Sequence, residues 1–292
     1  MRDDNPPQSV TSEAKKLIKA FEEGFAEYSS NWVSSSQFHE ASGDYEWAVS
    51  QLPGKGLTLE IGTGAGRSTL ALLNHGCTVV GLDHNHYCLE ETHSLLQKAG
   101  YPTEVIYRFS WEAIPEGGVR PKYHPLTETP TLQPGGCLLI EGDTQQVDVG
   151  GTRHGLTDDE IVKILKPLGF ELAVCWFPGT GMPLPANPAP GQVDISTYKV
   201  HMIRNSFEVA ARILPPGGHL HVVDRVPPEG SAAQSRRIFA PYNMNFSLIT
   251  SEERITCLDG YSGVTLHQSS EEKSANVKLV SLLYQKPNPK AD

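Results

Sequence analysis

Apolar positions change their period along the chain. Leu17, Ile18, Phe21, Phe25 and Tyr28 recur at helical spacing behind a polar tail of about a dozen residues, so the pattern predicts an amphipathic helix from Glu13 to Tyr28. A second helix is expected from Gly43 to Leu52. Together these segments form an expected N-terminal helical cap, and the general role of such an aromatic stripe is packing. From Leu57 onward, short apolar runs alternate with amphipathic stretches. Leu57 to Ile61 reads as a strand, Arg67 to His75 as a helix, Thr78 to Leu82 as a strand, Tyr87 to Ala99 as a helix and Thr103 to Phe109 as a third strand. Strands and helices in strict alternation predict parallel α/β architecture.

The alternation then breaks. Roughly residues 116–157 are rich in Pro, Gly and Thr and hold one further strand candidate, Cys137 to Glu141, so this stretch is expected to be an insertion after the third strand. Regular elements resume with a helix from Asp158 to Leu168, a strand from Glu171 to Phe177, a helix near Tyr198 to Leu214 and a strand from His219 to Val223. Arg254 to Leu266 and Asn276 to Gln285 read as two strands that pair antiparallel at a sheet edge. The expected division is a tail and cap over 1–52, a main α/β domain over 53–286 and a short tail over 287–292.

The most specific signal lies in LTLEIGTGAGRSTLALLNHGCTVVGLDHN. Glu60, Gly62, Gly64 and Gly66 form E-x-G-x-G-x-G between a strand and a helix, and Asp83 ends the next strand. Glycines let the backbone turn sharply and approach a ligand with no Cβ in the way. The helix that follows presents unpaired N–H groups to an anionic group, and an acid at the second strand's end accepts from ribose hydroxyls. The nicotinamide or flavin fingerprint requires glycine at position 67, where this chain has Arg67, and no G-K-[ST] follows to make a P-loop.

On these residues the chain resembles the class I S-adenosylmethionine-dependent methyltransferases, over roughly Leu57 to Gln285. Pro215, Pro216, Gly217 and Gly218 resemble the turn into that family's fifth strand. The resemblance implies a Rossmann-like, seven-stranded, mostly parallel sheet with helices on both faces and an antiparallel edge hairpin. It implies S-adenosyl-L-methionine as cofactor and S-adenosyl-L-homocysteine as product. Glu60 to Gly66, with Thr63 and Ser68, then holds the methionine part, and Asp83, flanked by His84, holds the ribose. For adenine two stretches compete: Ser110 and Trp111 stand in order at the third-strand exit, whereas Asp143 supplies the family's acid only after the insertion. Trp176 and Phe177 fall at the exit of the fourth strand, where aromatic faces attract a sulfonium. For a catalytic base, His154 and His201 are the candidates, since histidine titrates near neutral pH.

Composition narrows the acceptor. With 24 Lys and Arg against 34 Asp and Glu, the formal net charge is −10, which argues against a partner gripped through many phosphates. A small-molecule acceptor is expected instead of nucleic acid. No acid occurs between Trp176 and Asp194, so metal-independent transfer is expected. Five cysteines, Cys77, Cys88, Cys137, Cys175 and Cys257, are odd in number and never spaced as CxxC, which speaks against a disulfide framework or zinc site. No apolar run approaches the roughly 18 residues of a membrane span, and a cytoplasmic enzyme is expected. The alternatives are a non-catalytic binding protein on the same fold and an enzyme that transfers another group from the same cofactor.

Overall fold

A computed structural model of the chain describes residues 11–113, 119–142, 147–149, 152–154, 156–179, 195–226, 229–257 and 276–288. Helix α1 runs from Ser12 to Ala41 and α2 from Asp44 to Ser50. The Thr11 side chain accepts from Ala14 N and caps α1, a contact worth about 1 kcal/mol. The first βαβ unit consists of β1 (Leu57–Ile61), α3 (Arg67–His75) and β2 (Thr78–Asp83), followed by α4 (His86–Lys98) and β3 (Thr103–Ile106). A small hairpin of β4 (Phe109–Ala113) and β5 (Val119–Tyr123) precedes β6 (Cys137–Glu141), and β7 (Val147–Val149) pairs with β8 (Thr152–His154). Then come β9 (Leu172–Trp176), α5 (Ile195–Ile213), β10 (His219–Val226), α6 (Ala232–Phe239), β11 (Ser247–Cys257) and β12 (Asn276–Gln285).

Eight strands form the main sheet, in the order β11-β12-β10-β9-β1-β2-β6-β3. All neighbours from β3 to β10 run parallel, and β12 lies antiparallel to both β10 and β11. The architecture is Rossmann-like with the expected antiparallel edge hairpin. It has one strand more than the expected seven, because Cys137–Glu141 is an interior strand between β2 and Thr103–Ile106. Every residue of β6 is buried, whereas β3 is only partly covered, so the more apolar run takes the inner place and the other takes the edge. The helix expected over 158–168 is present, as a π-helix over Glu160–Leu165 that tightens into a 3₁₀ turn over Lys166–Leu168.

Strand residues alternate between the two faces, and that alternation sets the site. On one face Leu59, Ile61, Leu82 and Ile140 pack with Phe170, Phe207 and Ile213. On the other, Val79, Leu139, Val174 and Trp176 pack with Leu72, Leu89 and Tyr45. Glu60 falls between Leu59 and Ile61 and so points at α3, away from α5. Cys77, Cys88, Cys137 and Cys175 are buried free thiols. Among the described residues no helix is long and apolar enough to cross a membrane.

Candidate cofactor cleft

At the C-terminal edge of the parallel strands a cleft is lined on one side by Gly62, Thr63, Gly64, Ala65, Ser68, Asp83, His84 and Gly142. Facing them are Tyr28, Trp32 and Ser36 of α1, Tyr45 of α2, Trp176 to Gly179 at the end of β9 and beyond it, and Met202 of α5.

The glycines of the loop have different tasks. Gly62 and Gly64 have φ of +82° and +52°, a left-handed backbone that side-chain-bearing residues rarely adopt. A Cβ on Gly62 would meet nothing within 4 Å, so its backbone faces open cleft, and one on Gly64 would lie 3.6 Å from the Trp32 ring. Gly66 is bare for a different reason. A Cβ there would stand 2.7 Å from Thr92 Cα, so it serves the approach of α3 to α4, and it is not part of the cleft lining. Thr92 Oγ1 also donates to Gly64 O at 3.1 Å.

Glu60 lies beneath the loop, outside the cleft lining. Its carboxylate accepts from Ser68 Oγ at 2.5 Å and Thr69 Oγ1 at 2.6 Å, which ties β1 to the first turn of α3. Burial raises its pKa to about 7, against the opposing pull of those two hydroxyls. Thr63 sets its methyl over Gly81, where a Cβ would come within 2.5 Å of it, and leaves its buried Oγ1 with no hydrogen-bond partner. A buried hydroxyl without a partner in a cleft wall suits a polar ligand.

Asp83 acts on its own side of the cleft and on the loop. Oδ2 accepts from Gly64 N at 2.9 Å and Oδ1 from Asn85 N at 2.9 Å, so the carboxylate fixes the turn. Burial raises its pKa, with His84 and the backbone N–H groups pulling the other way. His84 lines the cleft with Nδ1 3.8 Å from Asp83 Oδ1.

The opposing wall is aromatic and rigid. Phe177, buried, has φ of +49° and stacks on His39 with centroids 4.4 Å apart and planes 7° from parallel, while Tyr45 meets its edge. His39 Nδ1 lies 2.8 Å from Asp44 Oδ2, and burial lowers its pKa. Asp44 also accepts from Thr256 Oγ1, and Arg254 donates to the Ser42 and Gly43 carbonyls, so the cap is tied to the edge hairpin. At the other end of α1, Asn85 Nδ2 donates to Phe25 O and His86 Nε2 pairs with Glu22. Glu40 pairs with Arg67 at the start of α3. Burial pushes the Tyr28 phenol up, so it remains an O–H donor.

The structure brings Gly62, Thr63, Gly64, Ser68, Asp83, His84, Trp176 and Phe177 to one cleft. It places Ser110 and Trp111 elsewhere. Because β6 occupies the position beside β2, the neighbouring strand exit is Glu141-Gly142, and the stretch holding Ser110 and Trp111 folds into the β4–β5 hairpin. Trp111 stacks on Phe21 and donates to Glu22, and Ser110 lies 3.0 Å from His124 Nε2. Asp143 lies outside the described residues, as does the His154 side chain, whose backbone ends β8. His201 is on the exposed face of α5, one residue before Met202 of the cleft.

Among the residues that escaped the sequence reading, two are instructive. His221 accepts from Trp176 Nε1 and holds that ring in the wall, yet nothing marks it among eleven histidines except its inward position on β10. Trp32 lies four residues beyond Tyr28 on the helical stripe, where extension of the periodicity finds it.

The order of strands and the glycine turn after β1 make this a Rossmann-like architecture. Solved structures that resemble the chain include the N-methyltransferase NodS from Bradyrhizobium japonicum WM9 in complex with S-adenosyl-L-homocysteine, at 12% identity, 86% coverage of this chain, 87% of that chain and a TM-score of 0.42. Magnesium protoporphyrin IX methyltransferase (ChlM) from Synechocystis PCC 6803, with bound S-adenosylmethionine, gives 11%, 95%, 99% and 0.43. The YcgJ protein from Bacillus subtilis gives 14%, 86%, 100% and 0.46. No family model and no curated protein matches the sequence. The functional reading rests on the residues of the cleft.

Proposed function

We propose that this protein is an S-adenosylmethionine-dependent methyltransferase acting on a small-molecule acceptor without a metal ion. The observation that carries the reading is the bare, left-handed backbone of Gly62 and Gly64, clamped by Asp83 and flanked by the partnerless Thr63 hydroxyl. This is a cradle that a Cβ would fill and a polar atom awaiting a partner, and it fits the amino-acid and ribose parts of the cofactor.

In this reading the backbone of 62–65 and the first turn of α3 hold the methionine portion, Asp83 accepts from the ribose hydroxyls, and Trp176 and Phe177 face the sulfonium. Bound S-adenosylmethionine supplies a methyl group on positively charged sulfur, open to attack by a nucleophile. The chain's own contribution is to orient and to exclude water, since positioning supplies much of the rate of an in-line displacement. Tyr28 stays protonated and donates; it does not take a proton from the acceptor. The aromatic wall of α1, α2 and the β9 exit forms the acceptor side.

Calorimetric titration with S-adenosylmethionine and S-adenosylhomocysteine tests the reading. Micromolar affinity that is lost in Asp83→Ala supports it, and no heat at millimolar ligand contradicts it.

A further inference from the structure

We propose that Arg108 is a cofactor-binding residue, with Nη1 donating to a ring nitrogen of adenine beside Gly142; this rests on the S-adenosylmethionine reading above. Arg108 follows β3, and its backbone N–H and that of Phe109 both donate to Glu141 Oε2 at 2.7 Å. Its side chain is 3% exposed. Nε donates to His124 O at 2.8 Å and Nη2 to Glu160, which is itself fixed by the N–H groups of Leu126 and Thr157 at 2.7 Å. Two of the three guanidinium nitrogens are thus anchored, and because the group is planar the third has no freedom to seek a partner.

That third nitrogen, Nη1, is buried with no hydrogen-bond partner. A charged donor left unsatisfied in the interior is costly, so its retention calls for a ligand. Its location indicates which part. Nη1 stands 3.1 Å from the point a Cβ on residue 142 would occupy, and residue 142 is the glycine that lines the cleft at the β6 exit. Gly142 does not have the left-handed backbone of Gly62 and Gly64, so its conformation does not demand glycine. The close approach of Arg108 Nη1 does. Gly142 N donates to Asp83 O at 2.9 Å, which sets this corner next to the proposed ribose partner, where the attached base follows. A purine ring nitrogen offers a lone pair and no proton, the complement of a guanidinium N–H.

The test is calorimetry with S-adenosylhomocysteine and its 1-deaza, 3-deaza and 7-deaza adenine analogues, on the wild type and on Arg108→Lys, which keeps a cation facing Glu160. One analogue is expected to bind the wild type at least tenfold more weakly than the parent. Arg108→Lys is expected to bind the parent at least tenfold more weakly and that analogue with no further loss. Gly142→Ala, which leaves the Arg108–Glu160 pair in place, is expected to show the same selective loss and carries the test if Arg108→Lys fails to fold. Equal binding of all three analogues and the parent by the wild type, or an equal loss across all four ligands in the variants, overturns the role of Arg108 alone. Absence of parent binding to the wild type overturns the cofactor reading with it.

Discussion

The indole N–H of Trp176 donates to Nδ1 of His221 at 2.9 Å, and His221 Nε2 lies 2.7 Å from Ser281 Oγ. An indole nitrogen only donates, so Nδ1 carries the lone pair and Nε2 the proton. The tautomer of a histidine outside the cleft lining is therefore set by a ring that lines it. Burial lowers the His221 pKa to about 3, so the imidazole is neutral throughout the working range.

A pH dependence of stability follows. The folded pKa lies below the ordinary value of 6.5, so this contribution is complete above pH 6.5 and is lost as pH falls from 6.5 toward 3, with a slope of up to about 1.4 kcal/mol per pH unit. His221→Asn keeps an acceptor for Trp176 but does not titrate. Urea unfolding between pH 7.5 and 4 is expected to show a variant about 1–3 kcal/mol less stable at pH 7 and with a shallower slope. Parallel slopes count against the assignment.

Glu60 gives the opposite sign. Its pKa is raised to about 7, so its contribution is complete below pH 4.5 and is lost as pH rises from 4.5 through 7. Glu60→Gln removes the buried charge while an amide oxygen still accepts from a hydroxyl. At pH 8 the variant is expected to equal or exceed the wild type in stability, by about 0–2 kcal/mol, and to lose the fall in denaturation midpoint between pH 5 and 8. A loss of several kcal/mol at pH 8 would show that the ionised form is the stabilising one.

The loop glycines separate binding from folding. Gly66→Ala drives a methyl into the Thr92 backbone and imposes left-handed strain, so thermal denaturation is expected to show a loss of about 2–4 kcal/mol. Gly62→Ala meets no neighbour and is expected to lose only about 1–2 kcal/mol, yet to reduce cofactor affinity at least tenfold. Equal affinity in Gly62→Ala and the wild type would remove the ligand from that backbone.

Cutting the cap from the edge hairpin tests whether the cap has a stability of its own. Arg254→Ala removes donors to the Ser42 and Gly43 carbonyls and a partner of Asp44. Amide exchange is expected to accelerate in α2 and the last turns of α1, with exchange of β1 and β2 unchanged. Uniform acceleration would mean that the cap has no separate stability.

Much of this arrangement is legible in the sequence, and the parts that are not have physical causes. The Glu60–Gly66 turn and Asp83 stand out because left-handed backbone and close packing restrict the residue types there. Helix α1 extends beyond Tyr28 through a serine-rich stretch whose weak propensity hides it; Ser29, Ser35 and Ser36 are buried there. The placement of Ser110 and Trp111 depends on which strand lies beside β2, a choice made by the relative burial of CLLI and TEVI and invisible to local pattern. Arg108 and His221 are marked only by what they touch. The third loop glycine, Gly66, shows that one motif can mix an open cleft wall with helix packing.

A crystal structure with S-adenosylhomocysteine tests the central claim most directly. The account predicts the homocysteine portion against the 62–65 backbone, ribose oxygens within hydrogen-bond distance of Asp83, and the base toward Gly142. Electron density for the ligand elsewhere, or a cleft closed by Trp32 and Tyr28 at saturating ligand, would contradict it.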